Sequence, residues 1–290
     1  MIFSKTNSRY IAGWEIDFEN PDELKKILLT QGFDKNGFEF FKSVQTATEI
    51  EIKNDNIVKV IKHSETDTET EKIKVKLPIT NWVDRELFFL TKDQNGKHKI
   101  GGDCPTDFKL PSHDKLKTSF IYIGSIDTND KRFNWINLPR LDIAFPIYEC
   151  NFGVFLDYSN VLNPEIINPD TFGDSWFDDS IKGVDKITFK EQKYSVKTQI
   201  DSNDYNNNQD SNLLCGVPLW IQAPDIPICP KTGEVMSFVC TINSDSSIDL
   251  KYKSGIENLP FGDYLIFGDH GNLFVFFHPG SKVMYLNIQF

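Results

Sequence analysis

Two stretches with the same pattern, FIYIGSID at residues 120–127 and MSFVCTIN at residues 236–243, decide the predicted fold. Aligned without a gap, their residues are chemically similar pair by pair, and the weakest match is Ile121 with Ser237. Both runs are short and almost wholly apolar, which is typical of a strand that is buried on both faces. The pair therefore predicts two copies of one β unit.

Matching features surround the two stretches in the same order. A segment with Gly and Pro precedes each stretch, KIGGDCPTDFKLP at 99–111 and LLCGVPLWIQAPDIPICP at 213–230. An aromatic strand follows each stretch, FGVFLDY at 152–158 and GNLFVFF at 271–277. Because three features recur in register, a duplication explains the pattern better than chance does. Two such units can pack sheet on sheet or pair within one large curved sheet.

The predicted fold class is mainly β (α+β), a duplicated antiparallel sheet unit with few helices. The duplicated unit is predicted to span residues 97–290, with copies at about 97–160 and 212–290 and an insert at 161–211.

Residues 1–96 are predicted to form a small N-terminal section with one helix and one β-hairpin. The helix signal is ENPDELKKILLTQGF, in which Asn20 caps, Pro21 takes the first helical position and Gly32 ends the helix. The hairpin signal is TEIEIKNDNIVKVIKH at 48–63, where apolar and charged residues alternate around a short polar turn.

Composition limits the partners. The chain of 290 residues has 42 acidic and 31 basic side chains, a formal net charge of -11. An acidic surface repels phosphate backbones, so nucleic-acid binding is disfavoured, whereas a basic protein surface remains a compatible partner. No apolar run reaches the roughly 18 residues that a membrane helix needs. Five scattered cysteines, together with an N-terminus that lacks an apolar signal region, predict a reduced, cytoplasmic protein without a cofactor.

The second copy carries a family resemblance. It contains Gly216, Pro218, the run WIQ at 220–222, CPKTGEVMSF at 229–238 and FGDHGNLFVFF at 267–277. This pattern resembles the YwqG-like family (DUF 1963) of uncharacterised bacterial proteins, over about residues 97–290. The resemblance implies a duplicated, mostly β fold and no established activity, so no catalytic residue is carried over. Some relatives are bacterial toxin–immunity proteins, so the resemblance also makes an immunity role an expectation.

The stretch CPKTGEVMSF begins like half of a zinc knuckle. A knuckle pairs two thiolates from one turn, usually as Cys-x2-Cys, but the residue three positions after Cys229 is Thr232. We therefore predict no metal, and a turn that leads into the repeated strand. A buried cysteine at this position acts as a small hydrophobic residue.

An acidic stretch, GDSWFDDS at 173–180, has three interpretations. The surface reading makes Trp176 and Phe177, flanked by Asp178 and Asp179, a partner-binding tip. A second reading groups Asp174, Asp178 and Asp179 with His270 as an acid–base cleft. The simplest reading is a loop whose aromatics pack inward while its acids stay solvated. His270 itself lies in GDHGN, a Gly-framed pattern that favours a turn.

No convergent catalytic set stands out, and no catalytic residue is predicted for the leading function. That function is a non-enzymatic protein-binding protein that engages a basic surface or a toxin, as an antitoxin-like immunity factor would. The alternative is a hydrolase or a small-ligand-binding protein that uses the acidic cleft.

Overall fold

A computed structural model describes most of the chain. The described residues are 3–6, 9–12, 47–53, 56–63, 68–71, 75–76, 88–149, 153–172, 180–197, 213–216, 218, 221, 225, 227–259 and 262–290. The predicted helix at 19–33 lies outside them. The chain divides into two compact units, one of residues 1–87 with 216–226 and one of residues 88–215 with 227–290.

The first unit contains six short strands in its described part. They are β1 (Phe3–Thr6), β2 (Arg9–Ala12), β3 (Ala47–Lys53), β4 (Asn56–His63), β5 (Thr68–Glu71) and β6 (Val75–Lys76). Strands β3 and β4 pair antiparallel, with Ile50 opposite Val60, as the alternating pattern predicts. The acidic segment that comes after β4 supplies β5, which pairs with β4.

The regular structure in the described part of the second unit is mainly strands. They are β7 (Phe88–Lys92), β8 (His98–Ile100), β9 (Ile121–Ile126), β10 (Leu141–Phe145), β11 (Val154–Asp157), β12 (Glu165–Ile166), β13 (Gln192–Lys197), β14 (Leu213–Cys215), β15 (Ser237–Asn243), β16 (Asp245–Asp249), β17 (Tyr264–Leu265), β18 (Asn272–His278) and β19 (Val283–Gln289). Three single 3₁₀ turns accompany them, at Asn134–Ile136, Pro169–Thr171 and Val184–Lys186.

Eleven of these strands form one antiparallel sheet. Its order is β10-β9-β8-β13-β7-β14-β15-β18-β19-β11-β12, and β16 pairs with β17 apart from it. The predicted mainly β class is confirmed. No helix in the described part of the chain is both long and apolar enough to cross a membrane.

The apolar runs become the strands with the most complete burial. All six residues of β9 and the first six residues of β15 are buried, as are the five of β10. Burial of a large apolar side chain stabilises a fold by roughly 1.5–3 kcal/mol, so these strands anchor the core. At the edges, β10 is covered and β12 has only two residues, which limits the backbone groups left open for edge-to-edge pairing.

The pairing registers around β9 and around β15 match each other. Between β9 and β10 the register passes over Ile123, and between β15 and β18 it passes over Val239, the residue aligned with Ile123 in the sequence. Strand β8 meets β9 with Ile100 opposite Gly124, and β14 meets β15 with Cys215 opposite Cys240. Gly124 and Cys240 are again aligned. In these pairings β10 lies beside β9 as β18 lies beside β15. The sequence pattern had instead matched β11 with β18, but β11 pairs with β19.

A tight bend follows β8 at Gly101. Its φ is +71°, and a Cβ there would lie 2.2 Å from the carbonyl oxygen of Lys190. Gly233 has the same conformation, with φ of +72°, but no atom lies within 4 Å of the place its Cβ would take. The two positions therefore separate backbone strain from close packing.

We expect Gly101→Ala to lower the free energy of unfolding by at least about 3 kcal/mol, because it adds a backbone clash to an unfavourable φ. Gly233→Ala should cost only about 1–2 kcal/mol, the strain of a left-handed residue. Urea denaturation of both variants measures the difference. Equal losses would show that the carbonyl of Lys190 gives way and that the bend is not tightly packed.

Candidate functional site

The acidic candidates lie outside the described residues. Asp174, Trp176, Phe177, Asp178 and Asp179 all fall there, so both the partner-binding tip and the acid–base cleft remain predictions. His270 is described, and it lies exposed in a turn with φ of +57°. Its Nε2 lies 3.4 Å from the hydroxyl oxygen of Tyr264. The described geometry adds no observation that favours the hydrolase.

A polar row crosses one end of the large sheet and indicates a different site. Residues opposite each other on paired strands point to the same face. Lys193 on β13 lies opposite Lys99, Lys99 lies opposite Ser125, and Ser125 lies opposite Asp142 on the edge strand β10. Four adjacent strands therefore present polar side chains in line on one face of the sheet.

A groove of about 520 Å³ lies over this end of the sheet, and we call it the polar groove. Three basic and three acidic side chains are among the residues that line it. The lining residues are Lys97, Lys99, Gly101, Asp103, Pro105, Tyr122, Ser125, Asp127, Asn129, Pro139, Arg140 and Glu191. The volume lies within the range of sites that bind small molecules or short segments.

A buried carboxylate anchors the floor of the groove. Asp142 is 1% exposed, and both of its oxygens accept hydrogen bonds from Nε of Arg140, at 2.7 and 2.9 Å. The hydroxyl of Tyr122 donates to the same carboxylate at 3.0 Å, and the hydroxyl of Tyr158 donates to the Asp142 carbonyl at 2.6 Å. Arg140 also reaches Asp107 at 3.2 Å. These bonds hold the guanidinium at the edge of the groove.

Burial sets the protonation of this cluster. It raises the pKa of the Asp142 carboxyl, and the hydrogen bonds from Arg140 and Tyr122 offset only part of that effect. Burial, with help from the charge of Asp142, also raises the pKa of the Tyr122 hydroxyl. For Arg140, which is more exposed, burial is outweighed by the two carboxylates, and its pKa is raised. The guanidinium therefore stays charged.

The Cys104 thiol interacts electrostatically with this cluster. Burial, followed by the charge of Asp142, raises the pKa of Cys104, so the thiol stays protonated and weakly nucleophilic. Its Sγ donates to the Phe108 carbonyl at 3.5 Å. The cysteine at this site is structural in character.

The rim of the groove consists of paired charges and one exposed aromatic. Lys99 pairs with Glu191 at 2.9 Å across the groove, and Lys251 pairs with Asp103 at 2.6 Å. The ammonium of Lys251 also lies 5.2 Å from the ring centre of Tyr252, which is 58% exposed. Tyr252 therefore adds a large, accessible aromatic surface beside the polar groove.

Sequence reasoning did not find this site, although a signal for it exists. The stretch RLDIAF at 140–145 places Arg140 and Asp142 two residues apart in a strand, hence on the same face. Two charged side chains within an otherwise apolar strand are costly to bury unless they pair with each other. That pattern alone indicates a buried ion pair, but not the partners that strands β8, β9 and β13 supply.

The turn at Cys229 forms as predicted from its Gly and Pro. The N–H groups of Thr232 and Gly233 donate to the Cys229 carbonyl, at 3.3 and 2.8 Å. The side chain of Cys229 is buried. Within the described part of the chain, no group of three His, Cys, Asp or Glu side chains is arranged to hold a metal.

Comparison with known proteins finds no match: no family model, no curated protein and no solved structure is significantly similar to the chain. The resemblance to the YwqG-like family therefore rests on the motifs of the sequence alone.

The Asp142 carboxyl should leave a pH signature. Its pKa is raised in the folded protein, so the folded state binds a proton more readily than the unfolded state does. Stability from this group is therefore present below about pH 3.9, the ordinary Asp pKa, and is lost as pH rises through the folded pKa. We expect the stability difference between the wild type and Asp142→Asn to shift against the wild type as pH rises from about 4 to 7. Urea denaturation across that range measures it, and a flat difference would contradict the raised pKa.

Proposed function

We propose that the protein is a non-enzymatic binding protein, and that the polar groove with Tyr252 at its rim engages a segment of a partner protein. The observation that carries this proposal is the state of the groove's charges. Lys99 with Glu191, Arg140 with Asp142, and Lys251 with Asp103 are paired with each other rather than held ready for a proton transfer.

Such a surface suits recognition of a polypeptide. Paired charges of both signs offer donors and acceptors at defined places, and a partner can exchange them for its own charged groups. An accessible tyrosine supplies the kind of aromatic contact that often dominates binding energy. Because charged side chains line the groove and an exposed ring borders it, a charged loop or an extended segment fits it better than a small apolar ligand does.

We further propose that the protein has an immunity role in the cytoplasm. Membership of the YwqG-like family, proposed from the motifs of residues 216–277, would place the chain among proteins that include toxin–immunity factors. The described cysteines Cys104, Cys215, Cys229 and Cys240 are free thiols, which fits a reducing compartment. The parallel registers at Ile123 and Val239 support the further proposal that the sheet arose by duplication.

A binding experiment tests the proposal. The tagged chain, produced at native levels in its own host, should recover one stoichiometric protein partner. With that partner purified, Tyr252→Ala should raise the dissociation constant by about tenfold or more, the effect of losing an interface aromatic. Lys97→Glu, which reverses an exposed charge in the groove, should raise the dissociation constant as well.

Ile228→Ala is the matched control. Ile228 is 48% exposed and bridges Val235 just before β15, which lies four strand positions from β8 in the sheet. We expect this variant to bind as the wild type does. Recovery of no stoichiometric partner, or equal affinities for all variants, would reject the groove as the binding surface.

The immunity role has its own readout. The partner, produced alone in a test bacterium, should arrest growth, and co-production of the wild-type chain should restore it. Tyr252→Ala should restore growth less well than Ile228→Ala. A partner that is harmless alone would leave binding in place and reject the immunity role.

A further inference from the structure

A second cluster of reactive side chains lies where two turns meet in the second unit. One turn, Cys229–Gly233, precedes β15, and the other, Pro279–Lys282, joins β18 to β19. The first turn places the Cys229 sulfur against the hydroxyl of Ser281 at 3.1 Å. The cluster is separate from the polar groove and does not depend on the binding function proposed for it.

Hydrogen bonds connect the buried sulfur to solvent through a short series of side chains. Ser281 lies 2.9 Å from Nδ1 of His278 through its hydroxyl, and its backbone N–H donates to the same nitrogen at 3.1 Å. Nδ1 is therefore an acceptor, so the ring proton sits on Nε2 and is donated to Glu234 at 2.9 Å. The side chain of Glu234 is 70% exposed. The chain Cys229–Ser281–His278–Glu234 thus has a thiol, a hydroxyl, a base and an orienting carboxylate.

The directions of these bonds agree with one another. Because the Ser281 hydroxyl donates to His278, its oxygen is free to accept the thiol proton of Cys229. A base that is oriented by a carboxylate is the arrangement used to activate cysteine and serine side chains. Here the Ser281 hydroxyl links that base to the nucleophile. Cys229 is therefore more than an isolated cysteine.

The surroundings of the sulfur favour a thiolate. Burial raises the pKa of Cys229, but hydrogen bonds to the thiolate outweigh burial and lower it. Their donors are the Ser281 hydroxyl, which can turn to the sulfur once His278 holds the relayed proton, the Thr232 hydroxyl, and the backbone N–H groups of Lys231 and Thr232. The other described thiols differ, because burial raises the pKa of Cys104, Cys215 and Cys240.

We propose that Cys229 is an activated thiol that reacts with small hydroperoxides, with Ser281 and His278 relaying its proton. The thiol proton moves to Ser281 Oγ as the Ser281 proton moves to His278 Nδ1. The thiolate then attacks one peroxide oxygen, an S–O bond forms and the O–O bond breaks. The leaving hydroxide takes the proton back from His278 through Ser281 and departs as water. Sulfur is oxidised to a sulfenic acid, and the peroxide is reduced.

The size of the oxidant follows from the cover over the sulfur. Cys229 has no exposed surface, which excludes bulky electrophiles. Its chain neighbours Ile228 and Pro230 are both exposed, so the turn that holds the thiol lies at the protein surface. Hydrogen peroxide is small, and it can donate and accept hydrogen bonds among the groups that surround the sulfur.

Residue-resolved oxidation tests the proposal on the full chain. The protein is exposed to hydrogen peroxide for timed intervals and quenched with catalase. It is then unfolded in denaturant that contains dimedone, which traps sulfenic acid wherever it was formed. Peptide mass spectrometry gives the rate for each cysteine. We expect Cys229 to react at least about tenfold faster than Cys104, although Cys104 is the more exposed of the two.

Two serine variants separate the relay from its surroundings. Ser281→Ala removes the link to His278 and should slow Cys229 by about tenfold, with Cys104 unchanged. Ser159→Ala is the matched control. The Ser159 hydroxyl lies 3.4 Å from the ammonium of Lys231, a residue of the same turn as Cys229. It should leave the rate of Cys229 as in the wild type.

Two results overturn the proposal. One is a wild-type rate for Cys229 that is no greater than that of Cys104, a comparison that needs no variant to fold. The other is equal Cys229 rates in Ser281→Ala and Ser159→Ala when circular dichroism shows both to be folded.

Discussion

Burial of β9 and β15 on both faces is the constraint on which the rest of the second unit depends. A strand that is apolar on both sides needs a layer over each face, and its backbone groups need partners on both edges. The large sheet supplies those partners, since β8 and β10 flank β9 while β14 and β18 flank β15. Where Lys99, Ser125 and Asp142 interrupt the apolar surface, one face stays polar and the groove forms. The site is therefore a local exception to the burial that holds the sheet together.

That exception costs energy, and the local contacts show how the fold offsets it. A buried carboxylate is expensive unless charged and hydroxyl donors surround it. Asp142 has Arg140 and Tyr122 on its oxygens, and Tyr158 on its carbonyl. The same bonds fix the position of Arg140 at the groove, so the contacts that make burial tolerable also order the surface that we propose as the binding site. A groove with fixed charges loses less side-chain entropy when a partner binds.

Local patterns in the sequence predicted the mainly β class, the hairpin of β3 and β4, and the buried strands β9 and β15. They could not predict the strand order, because pairing between distant segments leaves no local pattern. Strand β13 shows this plainly: its residues alternate weakly, it comes from the predicted insert at 161–211, and yet it lies between β7 and β8. The groove was missed for the same reason, since Glu191 meets Lys99 across 92 residues. The Arg140–Asp142 pair was the one part of the site that the sequence displayed locally.

The sequence motif at Cys229 predicts its local turn, whereas the contacts of its sulfur depend on the tertiary fold. The Cys-Pro turn and its later Gly predicted the bend, and the missing second cysteine argued against a knuckle. The sequence pattern predicted a small hydrophobic role for Cys229 because no second cysteine follows it in the turn. His278 and Ser281 come from a hairpin about fifty positions later, and only the pairing of β15 with β18 brings them there. Buried thiols of the ordinary kind, such as Cys215 and Cys240, face apolar neighbours and stay protonated. Cys229 differs because its turn directs donors at the sulfur and the hairpin supplies a base, so burial here protects a reactive group rather than an inert one.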